Sequence, residues 1–316
     1  MANFLDVSNI TYCGKEIQKI FAQDMYSLDV RNAGITLMPD VKGKTKLYSG
    51  ELGDILQLYS CPFSPQGAAS LAESFIEPAA LKANLEQCYD AFWSTFMLEG
   101  TEISLNGGVP PVFAEWFFTK FREKMKKEYE EIFWKGDTDY SGSTKEYLKA
   151  IDGIEKQLAD NSGVTKVSAT TFTVDNVLAQ VEATIMKGLD VAQAAEVPTE
   201  RYKVLMNKYD IELVKMSLGA QCCPNNDSIF SNYAKGPNGG VIIYGFELIP
   251  TEQSRNTIIF GDPRNLVLGF DVWDSHLTWK FIDMRDTTGD NAFRIISLTN
   301  IAAGIVFPEG FVFASV

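Results

Sequence analysis

Apolar residues recur at Phe113, Trp116, Phe117, Phe121, Met125, Tyr129, Ile132 and Phe133, which is the spacing of one buried face on a 3.6-residue period. Between them stand Arg122, Glu123, Lys124, Lys126, Lys127, Glu128, Glu130 and Glu131. Glu123 with Lys127 and Lys126 with Glu130 set opposite charges four apart, a spacing worth about 0.2–0.5 kcal/mol per pair. The pattern predicts one long helix over 113–135, buried on one side and charged and solvated on the other. Pro110 and Pro111 precede it and Gly136 follows it, so roughly 22 residues span about 33 Å. The run Phe133-Trp134-Lys135-Gly136-Asp137 closes it. An ordinary long surface helix has the same periodicity, so the pattern predicts an element and not yet a function.

Around this helix the remaining patterns are shorter. Residues 1–33 read as an arm with one short amphipathic helix at 16–23 and too little apolar mass to fold alone. Residues 34–75 alternate extended stretches with breakers, among them Pro39-Asp40 and the basic Lys42-Gly43-Lys44-Thr45-Lys46, and predict a protruding hairpin or long loop rather than a core. Leu81, Leu85, Cys88, Phe92 and Phe96 share one helical face and predict a second helix over 79–98, stopped by Gly100. A polar turn at 137–144 marks a boundary. Beyond it, Thr173 is expected to cap a helix carrying Val174, Val177, Leu178, Val181 and Ile185, closed by Gly188. A strand at 202–206 leads to Asn207 as the cap of a helix over 209–218, ended by Gly219. After Cys223 the period changes to strands, at 241–244, 246–249, 256–260, 266–270, 277–283, 293–298 and 301–307, separated by turns rich in glycine.

Composition narrows the picture. The formal charge of −13 argues against a nucleic-acid-binding surface, which needs clustered Lys and Arg, and leaves only non-specific contact with nucleic acid. There is no run of about 18 apolar residues and no signal-peptide pattern at the start, so a cytosol-like solvent is expected. Cys13, Cys61, Cys88, Cys222 and Cys223 are odd in number and scattered, as reduced and mostly buried thiols would be, and the adjacent pair lacks metal-ligand spacing.

Candidate chemistry is sparse. The single histidine, His276, would have to carry any Ser-His-Asp triad, yet no Gly-x-Ser-x-Gly elbow supplies a nucleophile, and His276 reads as a strand or turn residue. Neither dinucleotide nor P-loop glycine patterns occur. Asp137-x-Asp139-x-Ser141-Gly142-Ser143 matches the first seven positions of a calcium loop, but position 12 is Leu148 instead of glutamate, and Glu146 falls two residues early. A polar turn ending the helix accounts for it; the competing reading is a metal-dependent enzyme built around Asp137 and Asp139. Asp271 with Asp274 and Asp283 with Asp286 read as solvated loop-end acids. Gly261-Asp262-Pro263-Arg264 reads as a tight turn between strands, with Arg264 a solvated turn residue in preference to an anion ligand. No catalytic residue, cofactor site or metal ligand is assigned.

Several of these segments occur together in an order that resembles the major capsid proteins of tailed bacteriophages with the Hong Kong 97-type fold, most closely those of phages of Bacteroidetes hosts. The residues that carry the resemblance are Phe63 to Gly67 leading to Glu77-Pro78, Cys88 to Trp93, Ile132 to Asp137, Gly240 to Ile249 and Gly261 to Asp271. The resemblance implies an α+β fold with an N-terminal arm (1–33), an extended loop (34–78), a peripheral domain (79–149) holding the spine helix 113–135, an axial domain (150–298), and strands at 299–316 returning toward the peripheral domain. It implies no catalytic site and no cofactor. The implied partners are further copies of the chain as pentamers and hexamers in an icosahedral lattice, a portal, separate scaffolding or decoration proteins, and packaged double-stranded DNA held without specificity. The implied location is the virion, and the host cytoplasm before assembly. Some relatives cross-link a lysine to an asparagine, and Lys42, Lys44 and Lys46 stand near the extended loop, but no motif here identifies the asparagine or the acid that chemistry needs. A long scaffolding segment is absent, and a chain that starts at Met1 is not expected to lose its start by cleavage. An encapsulin-like compartment subunit is the alternative within the same fold.

Overall fold

The computed structural model describes residues 11–12, 28–52, 56, 58, 69–88, 111–194, 197–221, 241–271, 279–284 and 288–316. Its first elements are β1 (Thr11–Tyr12), α1 (Asp29–Asn32), β2 (Thr36–Pro39), β3 (Thr45–Leu52), β4 (Ala69–Ile76), β5 (Ala79–Cys88) and the long helix α2 (Pro111–Lys135). Then come α3 (Ile154–Asp160), β6 (Thr165–Ser168), α4 (Val177–Ala194), β7 (Lys203–Asn207), α5 (Lys208–Gln221), β8 (Val241–Ile243) and β9 (Phe246–Thr251). β10 (Ile258–Gly261), β11 (Leu266–Phe270), β12 (Trp279–Asp283), β13 (Ala292–Ile305) and β14 (Val312–Ser315) complete the chain.

The long helix forms where its periodicity predicts, and Met125, Tyr129, Ile132, Phe133 and Trp134 are buried. The side chains of Phe113, Trp116 and Phe117 lie outside those described, as do the arm helix at 16–23, His276, Asp274, Asp286 and four of the five cysteines. α2 packs against a sheet centred on β13. The register places β5 along one edge of β13 and β11 and β12 end to end along the other. Parallel β2 extends the sheet beyond β11, and β1 pairs with β12. Two strands predicted at 293–298 and 301–307 are therefore one continuous strand. The polar residues Thr299 and Asn300 do not break it, because β5 hydrogen-bonds through them and the buried Thr299 hydroxyl meets the Tyr129 hydroxyl at 2.7 Å.

A second sheet runs in the order β6-β14-β10-β7-β9-β8. Leu205, Ile249, Ile259 and Phe313 face the core shared with α2, whereas Val204, Met206, Leu248, Ile258 and Phe260 face α4 and α5. Burial on both faces explains the nearly unbroken apolar runs of these strands.

Three sequence expectations are corrected here. The helix expected over 79–98 is, as far as Cys88, the strand β5, and the remainder of that range is not described. Leu81 and Leu85 are four apart, which satisfies both a 3.6-residue and a 2-residue period. Long-range pairing with β13 decides between them, leaving Leu81, Ala83 and Leu85 on the inner side and Lys82, Asn84 and Glu86 outward. Gly188 does not close a helix: α4 starts at Val177, after a turn that follows Thr173, and continues to Ala194. Its role is close packing, since a Cβ there would lie 2.0 Å from Cδ1 of Phe260. Gly219 likewise lies inside α5. Asn207 does cap α5, its side-chain oxygen accepting the Tyr209 N–H at 3.0 Å.

Candidate assembly surfaces

The end of α2 is a rigid joint. Phe133 and Trp134 are fully buried, with rings edge to face at 5.1 Å, a geometry worth about 0.5–1.5 kcal/mol beyond the area removed from water. Gly136 then lets two backbones touch: a Cβ at Gly136 would lie 2.4 Å from the Ile151 carbonyl oxygen, and one at Gly153 would lie 2.6 Å from the Gly136 nitrogen. The Gly153 N–H donates to the Gly136 carbonyl at 2.8 Å, and the Asp137 N–H to the Leu148 carbonyl at 2.8 Å. The run that closes the helix in sequence thus locks it onto the segment that leads to α3.

Charge on α2 is distributed differently from the expectation. Glu130 and Glu131 were placed on the solvated face, yet both are buried. The Glu130 Oε1 accepts the Asp29 N–H at 2.7 Å. Glu131 accepts from Lys145 at 2.9 Å and from the Tyr147 hydroxyl at 2.5 Å. Burial works against the Glu131 charge, but these two donors more than offset it and hold its carboxyl below the usual range. Lys120 with Glu123 and Lys124 with Glu128 form ion pairs on the exposed face.

Asp137 and Asp139 do come together, around a lysine. The Lys156 ammonium donates to Asp137 Oδ1 at 2.5 Å and Asp139 Oδ2 at 2.7 Å, and lies 3.3 Å from Asp152 Oδ1. It holds the Asp137 carboxyl below its ordinary value, helped by the Asp139 N–H. Burial opposes the charge on Asp152, and the Thr138 N–H and hydroxyl with Lys156 outweigh it. Leu148, which would have to be the twelfth position of a calcium loop, is buried in the core. Among the described residues no group of three or more His, Cys, Asp and Glu could hold a metal ion. Asp271 is buried rather than solvated, and Cys88 is exposed, against the expectation of buried thiols. Arg264 is engaged within its own turn by the Asp262 carboxylate at 3.1 Å.

The chemistry of surfaces is concentrated in the hairpin β3–β4. Its two strands are eight residues each and reach about 27 Å. The base is anchored by Leu47 and Ile76, which pack with Val41, Val267 and Ala302. Beyond the base, cross-strand register pairs Lys46 with Phe75, Tyr48 with Glu73 and Gly50 with Leu71 on one face. On that face Tyr48, Leu71 and Phe75 are 53%, 67% and 50% exposed, an unusual load of bare apolar surface for a two-stranded ribbon. Lys46 bridges to Glu73 at 2.7 Å, and the Lys44 ammonium lies 4.8 Å from the Phe75 ring centre. Leu56 and Leu58, further out along the chain, are almost wholly exposed. The hairpin region is legible in the sequence, and this face is not. The signal was the alternation of Lys46, Tyr48 and Gly50 against Leu71, Glu73 and Phe75, legible only once the register is known.

No protein-family model and no curated protein matches the sequence. Solved structures match along nearly its whole length. A chain of the satellite phage P4 procapsid that includes the size determination protein is 10% identical with a TM-score of 0.60, covering 94% of this chain and 98% of that chain. A chain of the capsid of Myoviridae phage XM1 is 10% identical with a TM-score of 0.56, covering 91% of each. A chain of the capsid of a native GTA particle is 9% identical with a TM-score of 0.55, covering 90% of this chain and 89% of that one. The fold is that of these shells, the α+β Hong Kong 97-type architecture.

Proposed function

We propose that this chain is the major capsid protein of a tailed phage, a structural subunit that self-assembles into the icosahedral head enclosing double-stranded DNA. The observation that carries the reading is the hairpin β3–β4: among the described residues it is anchored at its base, by Leu47 and Ile76, and it leaves Tyr48, Leu71 and Phe75 half or more exposed on one face, a face suited to burial against another chain. The shared fold supports it, since the alignment with shell chains runs almost end to end. In this reading residues 1–33 are an arm, 34–78 the extended loop, 79–149 a peripheral domain with α2 as its spine, 150–298 an axial domain, and 299–316 strands returning toward the periphery. Function resides in surfaces and not in a catalytic centre. The net charge of −13 keeps packaged DNA loosely held, because a strongly basic wall would bind phosphate tightly and oppose packaging. The chain acts in the virion after passing through the host cytoplasm, with a portal and separate scaffolding or decoration proteins as partners. The sequence resemblance points to a Bacteroidetes host.

Analytical ultracentrifugation over a wide concentration range, followed by negative-stain microscopy, tests the reading. Pentamers and hexamers converting to closed shells are expected. A monomer or dimer at every concentration, with scaffold and portal supplied, overturns it. Mass spectrometry of particles from the native source separates a phage head, with DNA and portal, from a compartment filled with an enzyme.

A further inference from the structure

Helix α1 packs on the core that α2 helps to form and hydrogen-bonds to a side chain of α2. Leu28, Val30, Ala33 and Ile35 are buried in the core that α2 helps to form, and the Asp29 N–H donates to Glu130 Oε1 at 2.7 Å. Glu130 is only 8% exposed. The charged groups that face it come from three elements: the Asp29 carboxylate of α1, Lys208 at the start of α5, and Glu252 in the turn after β9. Lys208 is already engaged by the Glu252 carboxylate and lies against the Tyr209 ring. An ionised Glu130 is therefore a third negative charge served by one shared lysine and one N–H. Asp29, Lys208 and Glu252, the groups that face the buried carboxyl, also line a groove of about 620 Å³ between α1, α5 and β9.

We propose that Glu130 is a proton-controlled latch between α1 and the spine helix: protonated, it holds α1 down, and ionised, it lets α1 loosen. The protonated acid keeps Oε1 as acceptor for the Asp29 N–H and places no charge in the core. Loss of the proton to water leaves a carboxylate that gains free energy by reaching solvent. Burial pushes the Glu130 carboxyl up to about 7; the Asp29 N–H opposes this, the Asp29 and Glu252 carboxylates add to it, and Lys208 opposes it. Because the folded value lies above the ordinary 4.5, the stabilisation is complete below about 4.5 and is lost as the pH rises through about 7. Glu131, one residue on, is held ionised by Lys145 and Tyr147, so the two neighbours respond oppositely to their surroundings.

The latch belongs to the single subunit and is tested on it, independently of whether the chain builds a shell. Amide exchange of residues 28–35 is followed between pH 6 and 8.5, corrected for the intrinsic pH dependence of exchange. Protection in the wild type is expected to fall about tenfold across that range. Glu130→Gln keeps the acceptor oxygen and cannot ionise, and its protection is expected to stay constant. Glu252→Gln removes a facing carboxylate and frees Lys208, so the midpoint of the wild-type profile is expected to move to lower pH, a change that a purely structural role would not produce. Constant wild-type protection, an unchanged slope in Glu130→Gln, or an unmoved midpoint in Glu252→Gln overturns the proposal. If Glu130→Gln fails to fold, the midpoint in Glu252→Gln decides.

Discussion

Trp134 and Gly136 serve one joint in different ways. Trp134 fills it, and Trp134→Ala is expected to cost about 3–5 kcal/mol, read from urea unfolding of the unassembled subunit, because a large buried ring leaves a cavity that the surrounding core cannot fully close. Gly136 permits the close backbone approach, so any side chain there meets the Ile151 carbonyl and strains the joint without leaving a void. At Lys156 the effect is electrostatic. The folded value of Asp137 is depressed below its ordinary 3.8, so the stabilisation from Lys156 is present above that value and is lost as the pH falls through the depressed one. Lys156→Gln should therefore lower Tm at pH 7, with the gap from wild type closing below about pH 4. A gap that persists in acid would mean that Lys156 acts by packing.

At the scale of elements, α2 and the hairpin make opposite demands on water. Ile132 is buried in the core face of α2, and Ile132→Asp is expected to abolish soluble folded subunit, since an unpaired carboxylate is costly there. Lys124, exposed and paired with Glu128, tolerates Lys124→Ala within about 0.5 kcal/mol; thermal melts of the two variants provide the comparison. In the hairpin, beyond Leu47 and Ile76 at its base, Tyr48, Leu71 and Phe75 lie outside the core. Joint replacement of Tyr48, Leu71 and Phe75 by serine is expected to leave the circular dichroism spectrum and Tm of the subunit unchanged while preventing shell formation under the microscope. Loss of subunit folding in that variant would show that the face is supported within the chain.

For the whole molecule, the capsid reading places much of the stability between subunits. In that reading the exposed hairpin face adds a modest contact to each of several neighbours, and in a closed lattice such contacts reinforce one another. Dissociation should accordingly be cooperative and concentration-dependent, with shells vanishing over a narrow range on dilution, as light scattering would record. A gradual loss of mass would point to independent pairwise contacts.

The periodic segments are legible in the chain: the long helix ending at Lys135, the Asn207 cap, the strands expected at 241–244, 246–249 and 266–270 and found at 241–243, 246–251 and 266–270, and the hairpin region. These are dictated by spacing within a few residues, where local sterics and the separation of apolar from polar faces suffice. What the chain left open was decided by partners remote in sequence. Leu81 and Leu85 fit a helix or a strand until β13 hydrogen-bonds to them. Glu130 reads as one more surface charge until α1, 101 residues away in the chain, covers it. Asp137 and Asp139 resemble a cation loop until Lys156 arrives from the next helix as their counter-charge. In each case the short-range pattern admits two states of similar free energy, and burial with long-range pairing selects one of them.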